Sequence, residues 1–214
     1  MKILSLLILL LLALCSCSSV GSSSGGGGSS STDYRFLYDH NANVHGGYTV
    51  RWGSNTIKVY TAGIPGAEEA VNRWVGPVNF SFVSSPPSDG ISFSWTSSGN
   101  FCGIATTFYL ESGQISQSQV QIHTNQNSCR GGLDNTLSHE TAHALGFFGH
   151  TADGGLMDPD GGNSNITTPV RNFMTLLYSR PYGWNINPFL SLKTNLTASP
   201  YKANGTRTLV RVDY

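Results

Sequence analysis

His139-Glu140-Thr141-Ala142-His143-Ala144-Leu145-Gly146-Phe147-Phe148-Gly149-His150 spells the pattern HExxHxxGxxxH. Two histidines four residues apart share one helix face about one turn apart, so both imidazoles can reach a single ion. Glu140 follows the first, offset around the helix, where its carboxylate can hold a water at the same ion. Gly146 offers a left-handed stop, which lets the chain turn back and deliver a third histidine from outside the helix. Three ligands plus an open position is the catalytic zinc arrangement, whereas structural sites close all four positions. The pattern therefore predicts one Zn2+ ion held by His139, His143 and His150, with Glu140 as the general base.

Around this stretch the 214-residue chain is electrically balanced, with 12 basic and 12 acidic side chains. That balance speaks against a nucleic-acid surface or a polybasic membrane patch. Lys2 and the apolar run from Ile3 to Leu14, too short for a comfortable span, predict a signal peptide over 1–16. The run ends Leu14-Cys15-Ser16-Cys17-Ser18-Ser19, which resembles a bacterial lipobox. Small Ser16 precedes Cys17 and Leu14 lies three residues before it, so cleavage and lipidation are expected at Cys17. Cys15 is the weaker candidate because bulky Leu14 precedes it, and ordinary secretion is the alternative. A Gly/Ser tether over 17–31 would then hold one domain, 32–214, off the membrane. The expected setting is the cell envelope, lipid-anchored and facing outward, with the domain a monomer. Cys102 and Cys129 remain as an even pair in an exported domain and predict one disulfide. Closing their 27-residue separation would constrain the unfolded chain by about 3–4 kcal/mol.

Alternation of apolar and polar residues predicts five strands, over 56–61, 79–83, 90–96, 103–110 and 119–124. Helical spacing predicts helices over 65–75, over 135–145 with Asp134 as N-cap, and over 166–178 with a start near Pro169. A Gly/Asp/Pro-rich loop over 153–162 follows the motif, and the pattern beyond Pro181 supports no assignment. Strands interleaved with these helices indicate an α+β domain, a mixed sheet covered by helices.

With this order and motif the chain resembles the metzincin clan of zinc endopeptidases, its matrixin-like branch most closely, over roughly 56–178. The resemblance implies a metzincin-like zincin fold. Its parts would be a twisted mixed sheet of about five strands, a backing helix, an active-site helix and a C-terminal helix. It also implies a methionine-containing turn beneath the zinc, which Leu156-Met157-Asp158-Pro159, seven residues beyond His150, is similar to. The chain departs at Gly149, where the family places its third ligand; His150 serves only if the turn carries one extra residue. Glycine eases such a bulge by accepting positive φ. No glutamate follows Glu140, which removes a glutamate ligand scheme, while Asp153 stays open as a rival third ligand. His40, His45 and His123 lie in no carboxylate cluster and read as surface or core residues. No aspartate occurs between Gly99 and Cys129, so the family's calcium loops have no counterpart. Residues 33–51 read as an N-terminal arm packing on the domain, with a short inhibitory segment using Asp39 as the other reading.

The expected activity is zinc-dependent hydrolysis of peptide bonds in extracellular or cell-surface proteins, with protein or peptide substrates as partners and no nucleic acid. The alternatives are a non-enzymatic surface-binding lipoprotein on the same scaffold and a cell-wall peptide hydrolase.

Overall fold

The computed structural model describes residues 29–160, 163–190 and 207–213. The signal peptide, Cys15 and Cys17 lie outside the described residues, as does nearly all of the Gly/Ser tether.

Each of the five alternating runs forms a strand. β2 (Thr56–Tyr60) turns Ile57 and Val59 inward and leaves Thr56 and Lys58 in solvent. β3 (Asn79–Phe82), β4 (Gly90–Thr96), β5 (Gly103–Leu110) and β6 (Gln114–His123) follow, the last starting five residues earlier than its pattern suggested. Two further strands, β1 (Arg51–Trp52) and β7 (Arg207–Asp213), raise the sheet from the expected five to seven. The order is β3-β2-β4-β6-β5-β7, with β1 pairing β6 off this path. β2, β3, β4 and β6 run parallel, while β5 is antiparallel to both β6 and β7, so the sheet is mixed and the class is α+β.

Among the described residues four α-helices accompany the sheet. α1 (Ser31–His40) was unassigned in the sequence reading, yet Ser30 and Asp33 form its capping box: Asp33 N–H donates to Ser30 Oγ at 3.2 Å, and Ser30 N–H to Asp33 Oδ2 at 2.7 Å. α2 (Ala67–Asn72) is six residues long, shorter than the expected 65–75: Gly66 with φ +78° delays its start and it ends at Asn72. α3 (Gly132–Ala144) begins after Gly131 at φ +73°, not after Asp134, which lies in its first turn 3.9 Å from Arg73. α4 (Thr168–Tyr178) starts at Pro169's turn as expected.

α3 is buried along its length from Asn135 to Ala144, packed between α2 and the sheet strands β5 and β6. Side-chain donors reach carbonyls in its middle and at its C-terminal end, where burial excludes water. Trp74 Nε1 donates to Ser138 O at 3.0 Å, Trp52 Nε1 to Ala144 O at 2.9 Å, and Tyr178 Oη to Leu145 O at 2.9 Å. These bonds, each worth about 1 kcal/mol net, fix the helix that carries the motif. Among the described residues no helix is long and apolar enough to cross a membrane.

Candidate metal centre

The three histidines of the motif come together. His139 and His143 project from one face of α3, and their Nε2 atoms stand 2.9 Å apart. After Leu145 the chain leaves the helix at Gly146, φ +107°, and returns His150 so that its Nε2 lies 3.1 Å from that of His139. Among the described residues this is the one cluster of three metal-ligating side chains.

Hydrogen bonds settle which nitrogen faces the centre. His139 Nδ1 meets the carbonyl of Leu156 at 2.7 Å, and His143 Nδ1 meets that of Phe147 at 2.5 Å. A carbonyl only accepts, so both Nδ1 atoms carry the proton and each Nε2 turns a lone pair inward. Burial holds the His139 imidazolium pKa down to about 3 and that of His143 well below the ordinary value, with the neighbouring histidines lowering both further. Three neutral imidazoles with converging lone pairs repel one another, and a proton cannot relieve this cheaply in a buried site. A divalent cation can. At Zn–N distances of about 2.0–2.1 Å a tetrahedral ion wants nitrogens about 3.4 Å apart, close to the separations seen here. Three imidazoles also suit copper, iron or nickel, so the geometry supports a metal without selecting one.

Asp153, the rival third ligand, is turned to another task. It accepts from Thr151 Oγ1 at 2.7 Å, Thr167 Oγ1 at 2.6 Å and Gly155 N–H at 3.1 Å, tying the loop after His150 to the start of α4. Met157 is fully buried; the residue before it supplies the carbonyl that orients His139, and its own carbonyl accepts from Thr151 N–H at 2.8 Å. The Met157 turn thus fixes both the His139 ring and the backbone next to His150.

Glu140 is buried against the first residue of β5. A Cβ at Gly103 would come within 2.6 Å of Glu140 Cγ and 2.8 Å of Oε1, so only glycine leaves the carboxylate its place. The Cys102–Cys129 disulfide, as expected from the pair, ties that strand start to the loop entering α3. Gln126 reinforces it: Nε2 donates to Cys102 O at 2.9 Å and to His123 O at 2.7 Å, while Thr136 Oγ1 donates to Gln126 Oε1 at 2.9 Å.

No protein family and no curated protein matches this sequence.

Gly149 requires a correction. Its φ is not positive, so the extra residue in the turn is not accommodated by a left-handed glycine. The lack of a side chain matters instead: a Cβ there would lie 2.6 Å from His40 Nδ1. His40 stacks on Phe147 with ring centroids 4.8 Å apart at 14°, touches Phe36 at 4.3 Å, and offers its carbonyl to Phe148 N–H at 2.6 Å. The end of α1 therefore buttresses the turn that delivers His150. Asn41, next in sequence and fully buried, donates from Nδ2 to Val50 O and Gly146 O, both at 2.7 Å, and accepts from Val50 N–H at 2.9 Å. His40 is thus one of the core histidines expected, whereas Asn41 was not singled out; the Ser30-x-x-Asp33 capping pattern with Tyr34 and Leu37 at helical spacing was the available signal for the helix before it.

The remaining histidines are structural. His45 Nε2 donates to Glu111 O at 2.8 Å, and His123 Nδ1 accepts from Asn125 N–H at 3.0 Å. Asp39 faces Arg35 at 2.8 Å on the surface of α1. Beside His150 opens a cavity of about 480 Å³ between α1 and α4, walled by Phe36, His40, Pro169 and Phe173 with Asp33 and Asp153 at its lining.

Proposed function

We propose that the chain is a zinc-dependent endopeptidase of metzincin-like, matrixin-like build, anchored at the cell envelope through Cys17. The observation that carries this reading is the His139 Nε2 atom 2.9 Å from that of His143 and 3.1 Å from that of His150, with buried Glu140 next to His139 in the chain. His139, His143 and His150 would hold the ion. When bound, zinc polarises a peptide carbonyl and makes water acidic enough to attack near neutral pH. Glu140 would take the proton from the attacking water and pass it to the leaving nitrogen. Gly103, the disulfide and Gln126 keep that carboxylate at the edge of β5. The cavity beside His150 offers room for part of a substrate next to the ligands.

A surface-binding module could use the same three histidines. It has no use for a carboxylate buried beside them, and burying a charge is costly. The short α2, where metzincins carry a long backing helix, is a departure from that family's pattern. It affects the layer behind α3 and not the ligands.

Purified protein carrying zinc should cleave casein, and a chelator should abolish the cleavage. Glu140→Ala should keep its zinc by elemental analysis and lose activity by at least about 10³-fold, within the range expected for loss of a general base. A metal-replete Glu140→Ala variant that still cleaves at the parent rate would rule the mechanism out. Release of peptides from peptidoglycan in place of casein would identify a cell-wall peptide hydrolase. Cleavage of neither would leave the binding module.

A further inference from the structure

β7 is held mainly through its backbone. It pairs with β5 along its entire length, from Leu110 opposite Arg207 to Ile104 opposite Asp213. Yet none of its side chains from Arg207 to Val212 is buried: Arg207, Thr208, Leu209 and Arg211 are exposed, and Val210 and Val212 are half-buried. β6, on the other side of β5, buries Ile115, Ser118, Val120 and Ile122. Beyond the main-chain ladder, β7 is attached by half-buried Val210 against the core and by Thr208 to Tyr109, so the ladder is its main hold. Backbone N–H and C=O groups are the same in every sequence, so a strand held this way can be exchanged for another extended peptide of the same direction.

The edge that β7 covers leads to the site. β5 begins at Gly103, which lies against the Glu140 side chain, and Asp213 stands opposite Ile104, the very next residue. One strand spacing of about 4.8 Å and one residue step of about 3.8 Å separate the end of β7 from Gly103. An extended chain on this edge therefore runs directly towards Glu140.

We propose that β7 is a displaceable strap: the chain's own C-terminal strand occupies the edge of β5 on which an extended peptide substrate pairs antiparallel to reach Glu140 and the three histidines. This rests on the endopeptidase reading. With β7 in place, a substrate must compete for every ladder hydrogen bond, so turnover is held down until the strap leaves.

Two variants test it, both made on the zinc-loaded, disulfide-intact protein. One ends at residue 206. The other keeps the full chain but carries Leu209→Pro with Val210→Pro; one of any two adjacent N–H groups in an antiparallel strand faces its partner, so the pair removes a ladder donor without removing the segment. Expected are faster amide exchange along Ile104–Leu110, binding of a synthetic 207–214 peptide to the shortened protein and not to the full chain, and peptide cleavage at least about 10-fold faster, lowered again by that peptide. Wild-type exchange and wild-type cleavage in both variants would overturn the proposal. So would loss of the cooperative melt in both, which would make β7 a structural strand. If exchange and peptide binding change as expected while no form cleaves any substrate, the endopeptidase reading fails and the strap stands as an exchangeable strand on a peptide-binding edge.

Discussion

At Gly149 the distance from a hypothetical Cβ to His40 Nδ1 is 2.6 Å, well inside van der Waals contact, and the obstacle is a ring pinned between Phe147 and Phe36. That ring cannot swing away without breaking its stack, so Gly149→Ala should push the turn and move His150. Groups that orient ligands typically cost 10–100-fold in metal affinity when disturbed, and a loss of about 10-fold is expected here. His40→Ala added to Gly149→Ala should restore most of it, because the clash is gone. Competition with a chromophoric chelator measures both, and unchanged affinity in the single variant would show that the contact is not the constraint. Gly103 makes the complementary case on the other side of the centre. Gly103→Ala should displace Glu140 while leaving the three histidines alone, so zinc content stays at the parent level and turnover falls by about 10², as expected for a misplacement near 1 Å. If zinc falls in step with turnover, the damage has reached the ligands and this reading of Gly103 is wrong.

Among the elements, α1 carries the largest difference between expectation and structure. Its residues follow a Gly/Ser tract and six of the ten are polar, so periodicity alone does not mark a helix; a capping box and its packing on α4 make it one. α3 was legible because His139 and His143 at helical spacing have a chemical reason to share a face, and the strands were legible because one face is buried and the other wet. β7 was not, since its inward side is only half-buried at Val210 and Val212 and exposed Leu209 breaks the apolar-polar alternation. The junction after α1 is where its effect concentrates. Asn41→Ala removes three hydrogen bonds and leaves Val50 N–H, Val50 O and Gly146 O buried at that point without their side-chain partner. At roughly 1 kcal/mol each the loss is about 3 kcal/mol, or a fall in Tm of roughly 6–12 °C for a domain of this size. A melt within 2–3 °C of the parent would mean that water or a backbone shift replaces the clamp.

Over the whole molecule, four of the six histidines have their protonation suppressed by the same cause. His40, His45, His139 and His143 are all lowered from their ordinary values, with burial the largest contribution in each. In the unfolded chain each takes up a proton near 6.5. Below that pH the unfolded state binds more protons than the native one, so stability is fully present above about 6.5 and declines as pH falls towards the native values. Between pH 6.5 and 5, His139 alone, with a native value of about 3, should remove about 2 kcal/mol, and the other three act in the same direction. Asp153 is lowered instead, so its stabilisation is lost only as pH falls through the carboxylate range, below this window. Metal must be absent for the comparison, because protons also compete with an ion for the same nitrogens. Chelated protein should therefore show a urea midpoint that falls steadily from pH 7.5 to 5, and replacing His45, which lies away from the metal centre, should make that fall shallower. A midpoint that holds level or rises on acidification would mean that the buried imidazoles find a proton acceptor in the folded state.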